Sequence, residues 1–446
     1  MNISVIGTGY VGLVSGLCLA EKGHQVVCVD VNQDKVNRIN QGIPPIYESG
    51  LSELLKKNIG KRFSATTELQ SAIDHTELSI IAVGTPFDGE LIDLSYIKQV
   101  SRDLGRALKQ KQEYHVVVVK STVVPGTTDD VVLPLLEEES GKKAGIDFGV
   151  GMNPEFLREG EAISDFLTPD RIVIGGIDEK TLHVMDKLYQ VFEGVDIVKV
   201  NNKTAEMIKY TANSLLATLI SFSNEIGNYC ATLGDVDVVD VMKGVHKDKR
   251  FSPLMPDGKR VLPGFLSYLT AGCGFGGSCF PKDVKALVAH GRRAGTPMEL
   301  LESVVKINEK QPLKVISLLH KHFPYLQGRK VAVLGLAFKP GTDDMRESPA
   351  IPVMQHLVKA GADIRAYDPI AQHEAEKIFD SRNITYFDDL LEAIRGADAI
   401  LLMTAWKEFG NLPEILDGHV PEPLFLDGRR MLPKSHFKKY EGIGLS

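Results

Sequence analysis

The chain opens with a short apolar run, Ile3–Ile6, and similar β-branched runs recur at Gln25–Val29, Leu78–Val83 and Val116–Val119, separated by stretches with apolar positions at helical spacing. Strands alternating with amphipathic helices predict a parallel sheet covered on both faces. Further strand-like runs at Phe148–Gly151, Arg171–Ile174 and Ile197–Val200 extend this first domain. From Lys203 to Leu233 the period changes. Met207, Ile208, Leu215, Leu216, Leu219 and Ile220 fall at helical spacing with no proline before Pro253, which predicts one long helix. A stretch rich in Pro, Gly and Lys, Lys247–Gly264, precedes more helix across Val284–Ala294 and Met298–Leu319. Then Lys330–Leu334, Asp363–Tyr367, Ala399–Met403 and Leu424–Leu426 repeat the opening alternation. The expected fold is α/β, two doubly wound parallel-sheet domains joined by a long central helix, with segments 1–202, 203–310 and 311–446.

Composition narrows the class. At 446 residues, 43% hydrophobic and 24% charged, the chain is too long for one core and has the balance of a soluble globular protein. No run approaches the roughly eighteen continuous apolar residues that span a bilayer, and no basic flank or cleavage site reads as a signal peptide, so a cytoplasmic protein without a membrane partner is expected. The five cysteines, Cys18, Cys28, Cys230, Cys273 and Cys279, are odd in number and lack CxxC spacing, which argues against a disulfide framework or a zinc site. A formal charge of -7 gives no attraction for nucleic acid and points to a small-molecule partner.

Two stretches carry chemistry. Gly7-Thr8-Gly9-Tyr10-Val11-Gly12 follows the first strand and opens a helical run, Val11–Lys22. Gly7 permits the tight turn, Gly9 lets a pyrophosphate approach the backbone, and Gly12 lets the helix pack on the strand, the signature of a Rossmann-like dinucleotide site. Asp30 ends the second strand, where its carboxylate suits ribose hydroxyls and repels a 2′-phosphate; NAD is therefore expected over NADP, with Lys35 the one residue that argues the other way. Gly84-Thr85-Pro86 and Ser121-Thr122 each sit just past a strand and are further cofactor candidates, though such loops are also plain turns. The second sheet lacks the full glycine pattern, so its task is another ligand or a structural repeat.

The second stretch is Gly274-Phe275-Gly276-Gly277-Ser278-Cys279-Phe280-Pro281-Lys282-Asp283, a glycine loop that presents a cysteine ahead of a helix whose first residue should be Pro281. A helix N-terminus and Lys282 both favour thiolate, making Cys279 a candidate nucleophile. On chemistry alone an inert thiol is an equal reading. Lys209 and Asn213, spaced i, i+4, offer a cation and an amide from one helix face, although a solvated lysine and, for Asp283, a helix-end charge are the bland alternatives.

Taken together, Gly7–Gly12, Gly84–Pro86, Ser121–Thr122 with Pro125-Gly126, Asn153–Leu157, Lys209 with Asn213, the cysteine loop, Gly335–Lys339 and Asp427-Gly428-Arg429 resemble, in order and over nearly the whole chain, the UDP-glucose/GDP-mannose dehydrogenase family. The resemblance implies a dinucleotide domain, a long central helix and a second Rossmann-like domain that helps bind a nucleotide sugar. It implies two hydride transfers from C6 of the sugar to NAD, with Cys279 the nucleophile of the second. It also implies that Lys209 and Asn213 support an oxyanion, that Asp283 and Thr122 hold a water that takes protons, and that Glu155 is general acid or base in thioester hydrolysis. Cofactor contacts implied are Gly7, Gly9, Tyr10, Val11, Gly12, Asp30, Lys35, Thr85, Pro86, Ser121, Thr122, Glu159 and Arg346. For the substrate they are Glu155, Phe156, Leu157, Arg158, Lys209, Asn213, Phe275, Gly276, Lys339 and Arg429.

Ser278 before the nucleophile resembles the UDP-glucose branch, whereas relatives acting on N-acetylated sugars tend to have histidine there. One departure stands out. Lys247–Leu269 is longer than the family pattern, so the arginine that serves the substrate site is expected to be Arg260, with Arg250 as the alternative. Members of the family are dimers or larger, so a homo-oligomer is expected. The competing readings are a 6-dehydrogenase of another nucleotide sugar, a two-electron hydroxy-acid dehydrogenase and a non-catalytic NAD-responsive regulator.

Overall fold

The computed structural model describes residues 1–380, 382–418 and 421–446. Its residues group into two compact units, Met1–Ala212 and Asn213–Ser446, with the division inside the long helix Asn202–Leu233.

The first unit holds eight strands: β1 (Asn2–Ile6), β2 (Gln25–Val29), β3 (Phe63–Thr66), β4 (Leu78–Ile81), β5 (His115–Val119), β6 (Phe148–Met152), β7 (Arg171–Gly176) and β8 (Asp196–Val200). They lie side by side in the order β3-β2-β1-β4-β5-β6-β7-β8. Their continuous apolar character follows from burial on both faces: β4 and β5 have no exposed position. Two features depart from expectation. β3 was not foreseen, and β6 pairs with β7 antiparallel, through Gly151 with Gly176 and Met152 with Gly175. Glycine on both sides admits the close approach, since a Cβ on Gly151 would lie 2.3 Å from Met185 Sδ and 2.9 Å from the Gly175 carbonyl.

The second unit holds β9 (Lys330–Leu334), β10 (Asp363–Tyr367), β11 (Ile384–Tyr386), β12 (Ala399–Leu402), β13 (Leu424–Asp427) and β14 (Tyr440–Gly442), all parallel, in the order β11-β10-β9-β12-β13-β14. Six neighbouring strands of the first sheet have the same order, so the switch point of each sheet lies between its first strand and the strand that follows the reversal. The expected helix Met298–Leu319 is two helices, Glu299–Lys310 and Leu313–His322, because Pro312 cannot continue the first. The helix after the cysteine loop runs Phe280–Arg293, with Cys279 as its N-cap and Pro281 inside its first turn.

Candidate active site

In the first unit the fingerprint turns as its glycines require. Gly7 has φ +102, and a Cβ on Gly12 would lie 1.9 Å from the Gly7 carbonyl oxygen, so the helix Tyr10–Glu21 packs on the turn only without a side chain there. A Cβ on Gly9 would meet nothing within 4 Å, and Gly9 caps the helix without a side-chain bond to its N–H groups. That open face at a helix N-terminus suits a pyrophosphate. Asp30, half-buried at the end of β2, accepts from the Thr8 amide (2.9 Å) and hydroxyl (2.5 Å) and from the Asn32 amide (2.9 Å). Burial pushes its carboxyl up, but these bonds and Lys35 outweigh burial and leave it below the usual range. Val11 and Tyr10 begin the helix, and the Tyr10 hydroxyl donates to Glu48, a residue the sequence did not single out. Glu48 also accepts from the amides of Gly160 (2.7 Å) and Ala162 (2.9 Å), which ties the fingerprint to the loop carrying Glu159.

Beside this lies the edge formed by the ends of β4 and β5. Ser121 Oγ donates to the Val83 carbonyl (2.7 Å), Thr85 Oγ1 donates to the Thr122 carbonyl (2.7 Å), and the Pro86 carbonyl accepts from the Asp93 amide (2.8 Å). After β6, Glu155 is buried and bonds Lys209 Nζ at 2.9 Å and the Leu157 amide at 2.7 Å. Burial favours the neutral acid, yet Lys209 and the amide more than offset it, so Glu155 sits below the usual carboxylate range. Phe156 lies against two cations, Arg171 at 4.1 Å and Lys209 at 5.5 Å from its ring. Arg158 is exposed and paired with Asp165 and Glu161 (both 2.6 Å). Lys120, also unforeseen, is buried and donates to Asn153 Oδ1 (2.8 Å); burial pushes its ammonium down to about 8, against the pull of Glu155.

In the second unit the cysteine loop is held from several sides. Asn308 clamps Phe275 through both its amide groups (2.9 Å each), Gln311 donates to the Gly272 carbonyl (2.8 Å), and Asn224 accepts from the Gly272 amide (2.8 Å). Arg429 donates to the carbonyls of Met403 (2.6 Å), Gly274 (2.8 Å) and Phe338 (3.3 Å), and the Gly277 amide bonds the Arg346 carbonyl (2.8 Å). A Cβ on Gly276 would lie 2.2 Å from the Glu347 carbonyl oxygen, so the loop lies flat on its neighbour. Cys18, Cys28, Cys230 and Cys273 are buried, and burial pushes the Cys18 thiol up to about 12 and raises Cys28 and Cys273 as well. Cys279 is half-buried at the helix N-terminus, with Ser278 Oγ 3.6 Å from its sulfur. One turn on, buried Asp283 accepts from Asn213 Nδ2 (2.7 Å) and Lys282 Nζ (2.6 Å).

The remaining predicted residues fall as follows. Lys339 Nζ stands 5.7 Å from the Phe338 ring, and Arg346 pairs with Asp344 (2.7 Å). Arg260 bonds the carbonyls of Lys247 (2.8 Å) and Ser252 (2.6 Å), closing its own loop, whereas Arg250 is exposed beside Asp248 (2.5 Å). Asp368 ends β10 as Asp30 ends β2, but it is buried and saturated by the amides of Leu336, Ala337, Ile370 and Ala371 and by the Trp406 indole. That carboxylate is closed to a ribose, unlike the half-buried Asp30 at the matching position of the first sheet.

Comparison with known proteins decides the family. Three models of the UDP-glucose/GDP-mannose dehydrogenase family match in succession: the NAD binding domain over residues 1–193, the central domain over 203–310 and the UDP binding domain over 332–434. The chain belongs to this family. It is an NAD-dependent oxidoreductase of the nucleotide-sugar 6-dehydrogenase group. A UDP-glucose 6-dehydrogenase of Haloferax volcanii is 41% identical over 99% of this chain and 100% of its own length. A GDP-mannose 6-dehydrogenase of Pseudomonas aeruginosa is 40% identical over 92% of this chain and 93% of its own. Among solved structures, a UDP-glucose dehydrogenase from Pyrobaculum islandicum aligns with TM-score 0.89 and 38% identity, covering 100% and 98% of the two chains. Among the described residues no helix is long and apolar enough to cross a membrane.

Proposed function

We propose that this dehydrogenase oxidises UDP-glucose at C6 to UDP-glucuronate, with Cys279 forming a thiohemiacetal and then a thioester. The observation that carries the reading is the half-buried thiol at a helix N-terminus, in a loop held by Asn224, Asn308, Gln311 and Arg429. A hydroxyl oxidised only to the aldehyde needs no such nucleophile.

When bound, NAD supplies the hydride acceptor for both oxidations. Gly7, Gly9, Tyr10, Val11, Gly12, Asp30, Lys35, Thr85, Pro86, Ser121, Thr122, Glu159 and Arg346 are its proposed contacts. A water held by Thr122 and Asp283 takes the C6 hydroxyl proton in the first oxidation. The Cys279 thiolate then bonds the aldehyde carbon, and Lys209 with Asn213 balances charge on its oxygen. Loss of the second hydride leaves a thioester. Glu155, ionised at neutral pH, draws a proton from the attacking water, the carbon–sulfur bond breaks, and the thiolate returns. In sum, one alcohol, one water and two NAD give one carboxylate, two NADH and three protons. Phe156, Leu157, Arg158, Phe275, Gly276, Lys339, Arg429 and either Arg260 or Arg250 hold the nucleotide sugar in this account. The exposure of Arg250 supports it over Arg260. Ser278 and the Haloferax and Pyrobaculum relatives favour UDP-glucose, and kcat/KM across UDP-glucose, GDP-mannose and N-acetylated UDP-sugars tests the choice.

A further inference from the structure

The first unit contains a buried carboxylate that the reaction does not use. Glu206 lies on the long helix three residues before Lys209 and has no exposed surface. Its Oε2 accepts from the Gly126 amide (2.5 Å), and its Oε1 accepts from the Thr128 amide (2.8 Å) and hydroxyl (2.7 Å). The segment it grips begins at Thr122. Upstream, Ser121 and the Thr122 carbonyl are bonded to the end of β4; downstream, Pro125-Gly126 turns, with Gly126 at φ +96, into a π-helical turn, Thr128–Val132. A Cβ on Gly126 would lie 2.7 Å from Asp130 Oδ2, so this turn has little slack. Four residues, Thr122 to Pro125, therefore bridge two anchors, and Glu206 supplies the second.

We infer that Glu206 is a positioning residue: by gripping Gly126 and Thr128 it fixes the segment that carries Thr122 to the helix that carries Lys209. The inference rests on the role proposed above for Thr122. A carboxylate can serve all three donors, but a protonated carboxyl turns one acceptor into a donor facing an N–H or O–H, so the grip holds only while Glu206 is ionised. Burial pushes its carboxyl up to about 7 despite the three bonds, and Asp129 adds to the rise. The other charges nearby are committed: Asp130 pairs with Lys203 (3.2 Å), and Lys209 pairs with Glu155. Titration of Glu206 near neutrality thus makes kcat fall as pH drops through about 7.

The test is kcat against pH, with amide hydrogen exchange of residues 120–133, for the native enzyme, Glu206→Gln and Thr128→Ala. Glu206→Gln mimics the neutral form, so its kcat is low, by roughly ten- to a hundredfold, and flat across neutral pH, with faster exchange at Gly126 and Thr128. Thr128→Ala removes a bond that stabilises the carboxylate, so its acid limb moves to higher pH; it carries the test alone if Glu206→Gln does not fold. A native limb in either variant, or unchanged exchange in Glu206→Gln, overturns the inference. Failure of the parent reading shows differently: Thr122→Val would keep native kcat whatever the exchange result.

Discussion

At Cys279 and at the four buried cysteines the same atom meets opposite surroundings. Desolvation raises the thiols of Cys18, Cys28 and Cys273, whereas Cys279 stands half-buried at a helix N-terminus, an environment that favours thiolate. Iodoacetamide at neutral pH should therefore label Cys279 alone in the native protein, as read by peptide mass spectrometry; labelling of Cys18 or Cys273 at a similar rate would contradict this. The Glu155–Lys209 pair gives a second test. Because Glu155 lies below its unfolded value, the stability it contributes is present above the ordinary carboxylate range and is lost as pH falls through the folded value. Lys209→Met leaves that charge buried without its partner and should cost about 3–5 kcal/mol at neutral pH, with Glu155→Gln in the same chain restoring part of it. Cys279 and Asp30 are singled out by local motifs, and Asp283 by the family resemblance. Lys120, Glu48, Asn308 and Glu206 are not, since each acquires its meaning from a partner about 33 to 112 positions away that no spacing rule connects.

Among the elements, the fingerprint helix separates folding from binding. Gly9 has φ -69 and open space around it, so Gly9→Ala should change stability by no more than about 0.5 kcal/mol while weakening NAD binding, because the added methyl would enter the space proposed for the pyrophosphate. Gly12→Ala must displace the Gly7 carbonyl and should cost at least about 1–3 kcal/mol as well. Melting with and without NAD distinguishes them; equal destabilisation by both would contradict the assignment. The long apolar strands were readable to within a residue or two, whereas β3, β11 and β14, of three or four residues each, are too short and mixed to show a period. The break at Pro312 was available in the sequence and was overridden by the helical period on either side of it.

For the whole molecule, the pattern of alternating elements led to two doubly wound sheets, and both have the same order around their first strands. What it did not reveal is the antiparallel β6–β7 pair, set by glycine contacts across strands, and the closure of Asp368 by Trp406. On the long helix, Leu215, Phe222 and Tyr229 follow at heptad spacing and are 58%, 49% and 62% exposed, a stripe suited to a second copy of the chain. We propose that this stripe meets a second copy of the chain: Phe222→Glu should then lower the mass seen by sedimentation, and an unchanged mass would contradict it. The most direct test of the account is NADH released per molecule of limiting UDP-glucose, by absorbance, for the native enzyme and Cys279→Ser. The account predicts two NADH per UDP-glucose from the native enzyme and a variant that stalls before the acid; one NADH or none, or a variant that still completes both oxidations, would contradict it.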